Sequence, residues 1–168
     1  PTPEQRDLMR RRTAEFRARK PLVMVDFWND GPIISGCIAG GRKYFHINAN
    51  GDIEPCVFCH FAVDNIRRTT LKEALNSPLF RTIREVQGKH GNLLRPCMLI
   101  DHPEVGREMF RTEGAYPTHA GAGQIFTELS GQMDEYSCRY EEIADPVWEK
   151  DFRGDAGRGK TGTTDSKR

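Results

Sequence analysis

Cys37, Cys56, Cys59 and Cys97 are the residues of this chain whose type and spacing could do chemistry. The pattern runs Cys37, thirteen residues, Gly51, four residues, Cys56, two residues, Cys59, with Cys97 arriving after a stretch that reads as helix. A tight Cys-x2-Cys pair with two distant single cysteines is the spacing of ligands to one metal centre rather than of core residues. Four thiolates suit either zinc or an iron–sulfur cluster, since both are soft-ligand problems. A zinc ribbon usually brings two Cys-x2-Cys pairs where this chain has one, and on the chemistry alone the two readings stand level. A zinc-stabilised structural or protein-interaction module, with the four cysteines as ligands, is therefore the alternative throughout.

Composition bounds what can surround such a centre. With 168 residues the chain is about one domain long, and 37% apolar residues with 16 Gly, 10 Pro and 29% charged residues imply much loop and solvated helix around a modest core. Its 25 basic against 24 acidic residues leave a net charge of +1, so no overall field recommends nucleic acid or an anionic membrane. The seven Lys/Arg between Arg6 and Lys20 read as the solvated face of an amphipathic helix. No apolar run is long enough for a membrane span and no leader opens the chain, so the expected location is cytoplasmic. Five cysteines leave one unpaired, and the Cys56/Cys59 spacing is poor for a structural disulfide, which favours thiolate ligation in a reducing compartment.

The elements that must position the cysteines are legible in turn and cap signals. Thr2-Pro3-Glu4-Gln5 starts a basic helix that runs to about Lys20. Leu22 to Phe27, apolar and β-branched after Pro21, reads as a buried strand. Tyr44–Asn48 and Ile53–Cys56 flank an Asn50-Gly51 turn, a hairpin that carries Cys56 toward Cys37. Thr70–Glu73 is a second capping box, and Ser77-Pro78 opens a helix with Leu79, Phe80, Ile83 and Val86 on one face, stopping at Gly88. A short helix follows Asp101-His102-Pro103 to about Arg111, and Gly114 to Gly123 reads as a Gly/Pro linker. Ile125, Leu129, Met133, Tyr136, Tyr140 and Ile143 mark a long amphipathic helix ending near Asp145-Pro146, and Arg153 to Arg168 reads as a disordered tail.

Taken together, Gly36-Cys37-Ile38-Ala39-Gly40-Gly41, the run Phe45 to Cys56, and Asn65-Ile66 followed by Leu71 to Pro78 resemble the SPASM/Twitch extension of radical S-adenosylmethionine (radical SAM) enzymes. The resemblance spans about Gly36 to Cys97. It implies an auxiliary 4Fe-4S cluster held by Cys37, Cys56, Cys59 and Cys97, with Gly51 at the turn and electron transfer or structural support as its role. A full SPASM domain has further cysteines for a second cluster, whereas only Cys138 remains here, so a single-cluster, Twitch-like arrangement is closer. The Cys-x3-Cys-x2-Cys motif that binds the catalytic cluster of these enzymes is absent from the 168 residues. S-adenosylmethionine and a second 4Fe-4S cluster would then belong to an upstream radical SAM barrel domain.

The fold implied is α+β: a short strand and a β-hairpin cluster-binding site followed by helices, the C-terminal extension of a partial α/β (TIM-like) barrel. The expected boundaries are 1–35 for the end of the barrel, 36–112 for the cluster domain, 113–152 for the linker and C-terminal helix, and 153–168 for the tail. This chain alone is expected to be inactive. Its partners would be the upstream barrel, an unknown substrate and an electron donor or acceptor such as ferredoxin or flavodoxin.

Other signals carry less. Cys56-Val57-Phe58-Cys59-His60 has the haem-attachment spacing but would leave Cys37 and Cys97 unexplained. Gly154 to Thr161 fits the phosphate-loop pattern without the strand and helix that must flank it. His46, His60, His90, His102 and His119 read as hydrogen-bonded surface or hairpin residues, His60 being the one beside a candidate ligand. Cys138 reads as a small helix-packing residue.

Overall fold

The computed structural model describes residues 1–89 and 91–153. Helix α1, Pro3–Arg19, begins with the expected reciprocal cap: Thr2 N donates to Gln5 Oε1 at 2.9 Å and Gln5 N donates to Thr2 Oγ1 at 3.3 Å. A short helix α2, Gly31–Ile34, leads to the antiparallel pair β1, His46–Ile47, and β2, Ile53–Glu54. Between them the Asn48 side chain accepts from Asn50 N and Asp52 N at 2.9 and 3.0 Å, and Gly51 takes φ 88°. This left-handed conformation is open to glycine without a Cβ penalty.

Strand β3, Phe61–Ala62, is followed by α3, Leu71–Leu75, and α4, Pro78–Gln87, each capped as the sequence dictates by Thr70 and Ser77. Helix α5, Pro103–Thr112, strand β4, Tyr116–Pro117, a 3-10 turn at Ala122–Phe126 and helix α6, Ser130–Trp148, complete the described chain, with a π-helical turn at Glu149–Arg153. The architecture is α+β. Ile53, Phe61, Leu79, Phe80, Ile83, Met98, Met109 and Phe110 form the main core, with Phe61 and Phe110 stacked at 4.7 Å between ring centres.

Several expectations need correction. Leu22 to Phe27 is not a buried strand: it forms no strand and has no ladder partner, and Val23 and Val25 are 95% and 69% exposed. A β-branched run gains from strand geometry only when a neighbouring strand accepts its backbone, and none of the described segments pairs with it. The Gly114–Gly123 stretch is not a plain linker, because β4 pairs antiparallel with β3, Phe61 opposite Pro117 and Ala62 opposite Tyr116. The long helix starts at Ser130, leaving Ile125 in the 3-10 turn, and continues through Pro146 to Trp148. Its last turns are held by buried Tyr140 and Ala144 and by Trp148 stacked on Phe152 at 5.2 Å. The expected tail lies outside the described residues from Gly154 onward.

The basic helix is also not uniformly solvated. Arg6 is 0% exposed and belongs to the interior.

The loop after Cys37 shows how tightly the core and the cysteine segments are joined. Gly40 has φ 64°, and a Cβ placed on it would lie 2.3 Å from Ile83 Cγ2 in the core. Gly40→Ala is therefore expected to cost about 2–4 kcal/mol, the sum of left-handed strain and overpacking. Urea denaturation measures this, and a loss under about 1 kcal/mol would show that the loop can move away from α4.

Candidate iron–sulfur centre

The four cysteines reach the site on three pieces of local structure. Cys37 follows α2 in a loop clamped by Arg42, whose Nε donates to Cys37 O at 2.6 Å and whose Nη2 donates to Ile34 O and Gly36 O at 3.0 and 3.2 Å. Cys56 leaves β2, and Cys59 N donates back to Cys56 O at 2.9 Å, which closes the tight turn that the two-residue spacing requires. Gly40 N donates to Pro55 O at 3.0 Å, fastening the Cys37 loop to the Cys56 turn. Cys97 precedes α5, in a turn closed by Asp101 N donating to Cys97 O at 2.8 Å.

These segments converge, and all four cysteines line one cavity of about 260 Å³. Its other walls are mostly apolar, with Ile38, Met98, Leu99 and Ile125 among them. An aromatic group stands on the same cavity: Phe58 lies 5.5 Å from Trp28 and 5.8 Å from Phe27, and Phe27 lies 6.1 Å from Tyr44. Tyr44 OH accepts from Val57 N at 3.2 Å and so ties this group to the Cys56 turn.

Burial raises the pKa values of all four thiols, opposed in each case by backbone N–H groups aimed at the sulfur. The donors are Ala39 for Cys37, Phe58 and Val57 for Cys56, Phe61 for Cys59, and Ile100 and Leu99 for Cys97. Cys97 is pushed up to about 12, first by burial and then by the charge of Asp101. The main chain thus offers anion-stabilising donors to sulfurs that burial would keep protonated. A soft cation is the ligand that reconciles the two.

The remaining sequence candidates separate cleanly. Cys138 is exposed on α6 and does not line the cavity. His60 lines it and has Nδ1 3.8 Å from Glu54 Oε1, while His46 Nε2 lies 3.8 Å from Glu54 Oε2. His119 lies 5.1 Å from the His60 ring, His102 Nε2 is 3.0 Å from Arg95 O, and His90 lies outside the described residues. The Gly154–Thr161 run lies outside them as well. Glu54 itself is buried, accepting from Asn48 Nδ2 at 3.2 Å and from the Thr118 hydroxyl. The sequence did not single it out, because an acidic residue in a hairpin normally faces water.

Two further residues escape a reading of spacing. Arg6 and Asp101 form an ion pair with both side chains 0% exposed, Nη1 to Oδ1 at 2.5 Å, and Asp101 Oδ2 accepts from Cys97 N at 2.9 Å. Ninety-five positions separate them in the chain, so no local pattern links them.

Comparison with known families accounts for the convergence. Residues 37–99 match the family model of SPASM, an iron–sulfur cluster-binding domain. This stretch is a SPASM-type domain. The SPASM match opens at Cys37 and closes two residues beyond Cys97, so it encloses all four cavity cysteines. No curated protein and no solved structure matches the chain. The donor set of the SPASM segment fits the group its family binds: four thiolates, amide donors to each sulfur, and an apolar wall. No helix among the described residues is long and apolar enough to cross a membrane.

Proposed function

We propose that Cys37, Cys56, Cys59 and Cys97 hold a single auxiliary 4Fe-4S cluster that serves a radical SAM enzyme in electron transfer. The observation that carries the reading is the convergence of the four cysteines of the SPASM segment on one cavity. A cluster is favoured over zinc by the family match, since the model that spans all four cysteines is that of an iron–sulfur cluster-binding domain. In such a centre each thiolate meets a different iron.

When bound, such a cluster supplies reversible one-electron storage. The chain's own residues set the conditions for it. Backbone N–H groups donate to the sulfurs, and the apolar wall with the Phe27, Trp28, Tyr44 and Phe58 group keeps water from them. Four protein ligands leave no iron open for substrate, which argues against Lewis-acid work and for electron relay.

The exposed Leu22–Phe27 segment supports placing residues 1–35 at the end of an upstream barrel whose sheet would pair with it. S-adenosylmethionine, a second 4Fe-4S cluster and the substrate would be bound there, with ferredoxin or flavodoxin as the class of electron partner and the cytoplasm as the compartment.

Anaerobic purification of the 168-residue chain is expected to give brown protein with about four iron and four sulfide per chain. Incubated with S-adenosylmethionine and a reductant, the same preparation is expected to yield no 5′-deoxyadenosine, since the Cys-x3-Cys-x2-Cys motif is absent. Stoichiometric zinc without sulfide after anaerobic reconstitution would establish the zinc-bound structural or interaction module instead.

A further inference from the structure

The turn between Cys97 and Asp101 is closed from both ends: Asp101 N donates to Cys97 O at 2.8 Å, and Cys97 N donates to Asp101 Oδ2 at 2.9 Å. Arg6, reaching across from α1, donates to Asp101 Oδ1 at 2.5 Å and to Oδ2 at 3.2 Å. The rest of its guanidinium is also held, by Trp28 O at 3.0 Å, Leu94 O at 3.1 Å, Asn29 Oδ1 at 3.4 Å and the Tyr140 ring centre at 3.7 Å. Asp101 O in turn accepts from Ser137 Oγ at 2.6 Å and Arg95 Nη2 at 3.2 Å. Neither member of the pair can swing away from Cys97 without breaking this frame.

Stability alone is a weak reason for such a pair, because packed apolar residues of similar volume are often as stabilising. Its location offers a stronger one. Away from water, a full charge beside a ligand is little screened and acts on any charge that arrives there. We propose that Arg6 and Asp101 are positioning residues for the iron–sulfur centre: they fix the Cys97 turn and, through their charge balance, set the potential at which the centre accepts an electron. This rests on Cys97 being a ligand. The step concerned is the addition of one electron from an external reductant, with no bond formed or broken and no proton transferred.

The two charges are expected to act with opposite sign. Asp101→Asn keeps an acceptor for Cys97 N–H but leaves Arg6 unbalanced, which favours the more negative reduced state. Arg6→Gln leaves the carboxylate unbalanced and disfavours it. In a dye-mediated dithionite titration of the reconstituted full chain, followed by visible absorption, the reduction equilibrium is expected to move about tenfold each way. For one electron that is about 59 mV, upward for Asp101→Asn and downward for Arg6→Gln. Arg6→Lys, which keeps the charge, is expected to stay within about threefold of the parent protein.

A purely structural pair would lower cluster occupancy in both variants without opposed shifts. Shifts of the same sign, or changes below threefold in both, overturn the proposal. If one variant does not fold, the sign of the other decides. If neither folds, the double variant Arg6→Gln/Asp101→Asn is measured, with a potential within threefold of the parent expected and a larger shift contrary. Cys97→Ala with unchanged iron, sulfide and spectrum would instead overturn the ligand assignment, which separates that failure from this one.

Discussion

Alanine at any one of Cys37, Cys56, Cys59 or Cys97 is expected to strip the reconstituted chain of its brown colour and of most of its iron and sulfide, whereas Cys138→Ala leaves both unchanged. The four thiols line one cavity and are buried enough to stay protonated unless a cation takes the proton's place, while Cys138 is exposed on α6. Residues that merely orient a ligand are typically worth about 10–100-fold in metal affinity, so removal of a ligand is expected to cost more. Iron and sulfide assays with visible absorption read the result. Normal loading of Cys37→Ala together with failure of Cys138→Ala would assign the wrong four sulfurs.

Arg6→Leu is expected to be the most damaging change outside the cysteines, with a loss of about 3–5 kcal/mol, because it leaves Asp101 charged, buried and without its partner. That is a large part of the roughly 5–15 kcal/mol by which a domain is stable. It would also free the Cys97 turn, since Asp101 Oδ2 is the acceptor for Cys97 N. Replacing both partners, Arg6→Met with Asp101→Leu, is expected to recover most of the stability but not the anchoring of Cys97. Urea denaturation of the chain measures the first effect and iron content the second. Arg6→Leu within about 1 kcal/mol of the parent protein would mean that α1 is not a structural part of the centre.

These expectations differ in where they came from. The candidate cysteines and their turns could be read locally: a Cys-x2-Cys turn, an Asn-Gly hairpin with its left-handed glycine, and two capping boxes are each written within a few consecutive residues. The structure preserves each, with Gly51 at φ 88° and reciprocal caps at Thr2 and Thr70. Such features depend on backbone dihedrals and hydrogen bonds between near neighbours, which residue types dictate without help from the rest of the fold.

Where partners lie far apart in the chain, residue type misled. Arg6 carries the same charge as Arg11 and Arg12 and sits on the same helix, yet of the three it alone is drawn inside, by a carboxylate that follows it by 95 positions. Leu22 to Phe27 has the composition of a strand, but a strand is completed by its neighbour, and nothing in the described chain supplies one. Tyr116 and Pro117 sit among glycines that spell a linker, yet they pair with β3 because Tyr116 OH can donate to Asp52 at 2.8 Å and complete the hairpin's hydrogen bonding. The sequence by itself determined the turns, the caps and which sulfurs could serve a metal. Only the tertiary structure decided which charges are buried beside them, because burial is a property of what the distant chain places on the other side.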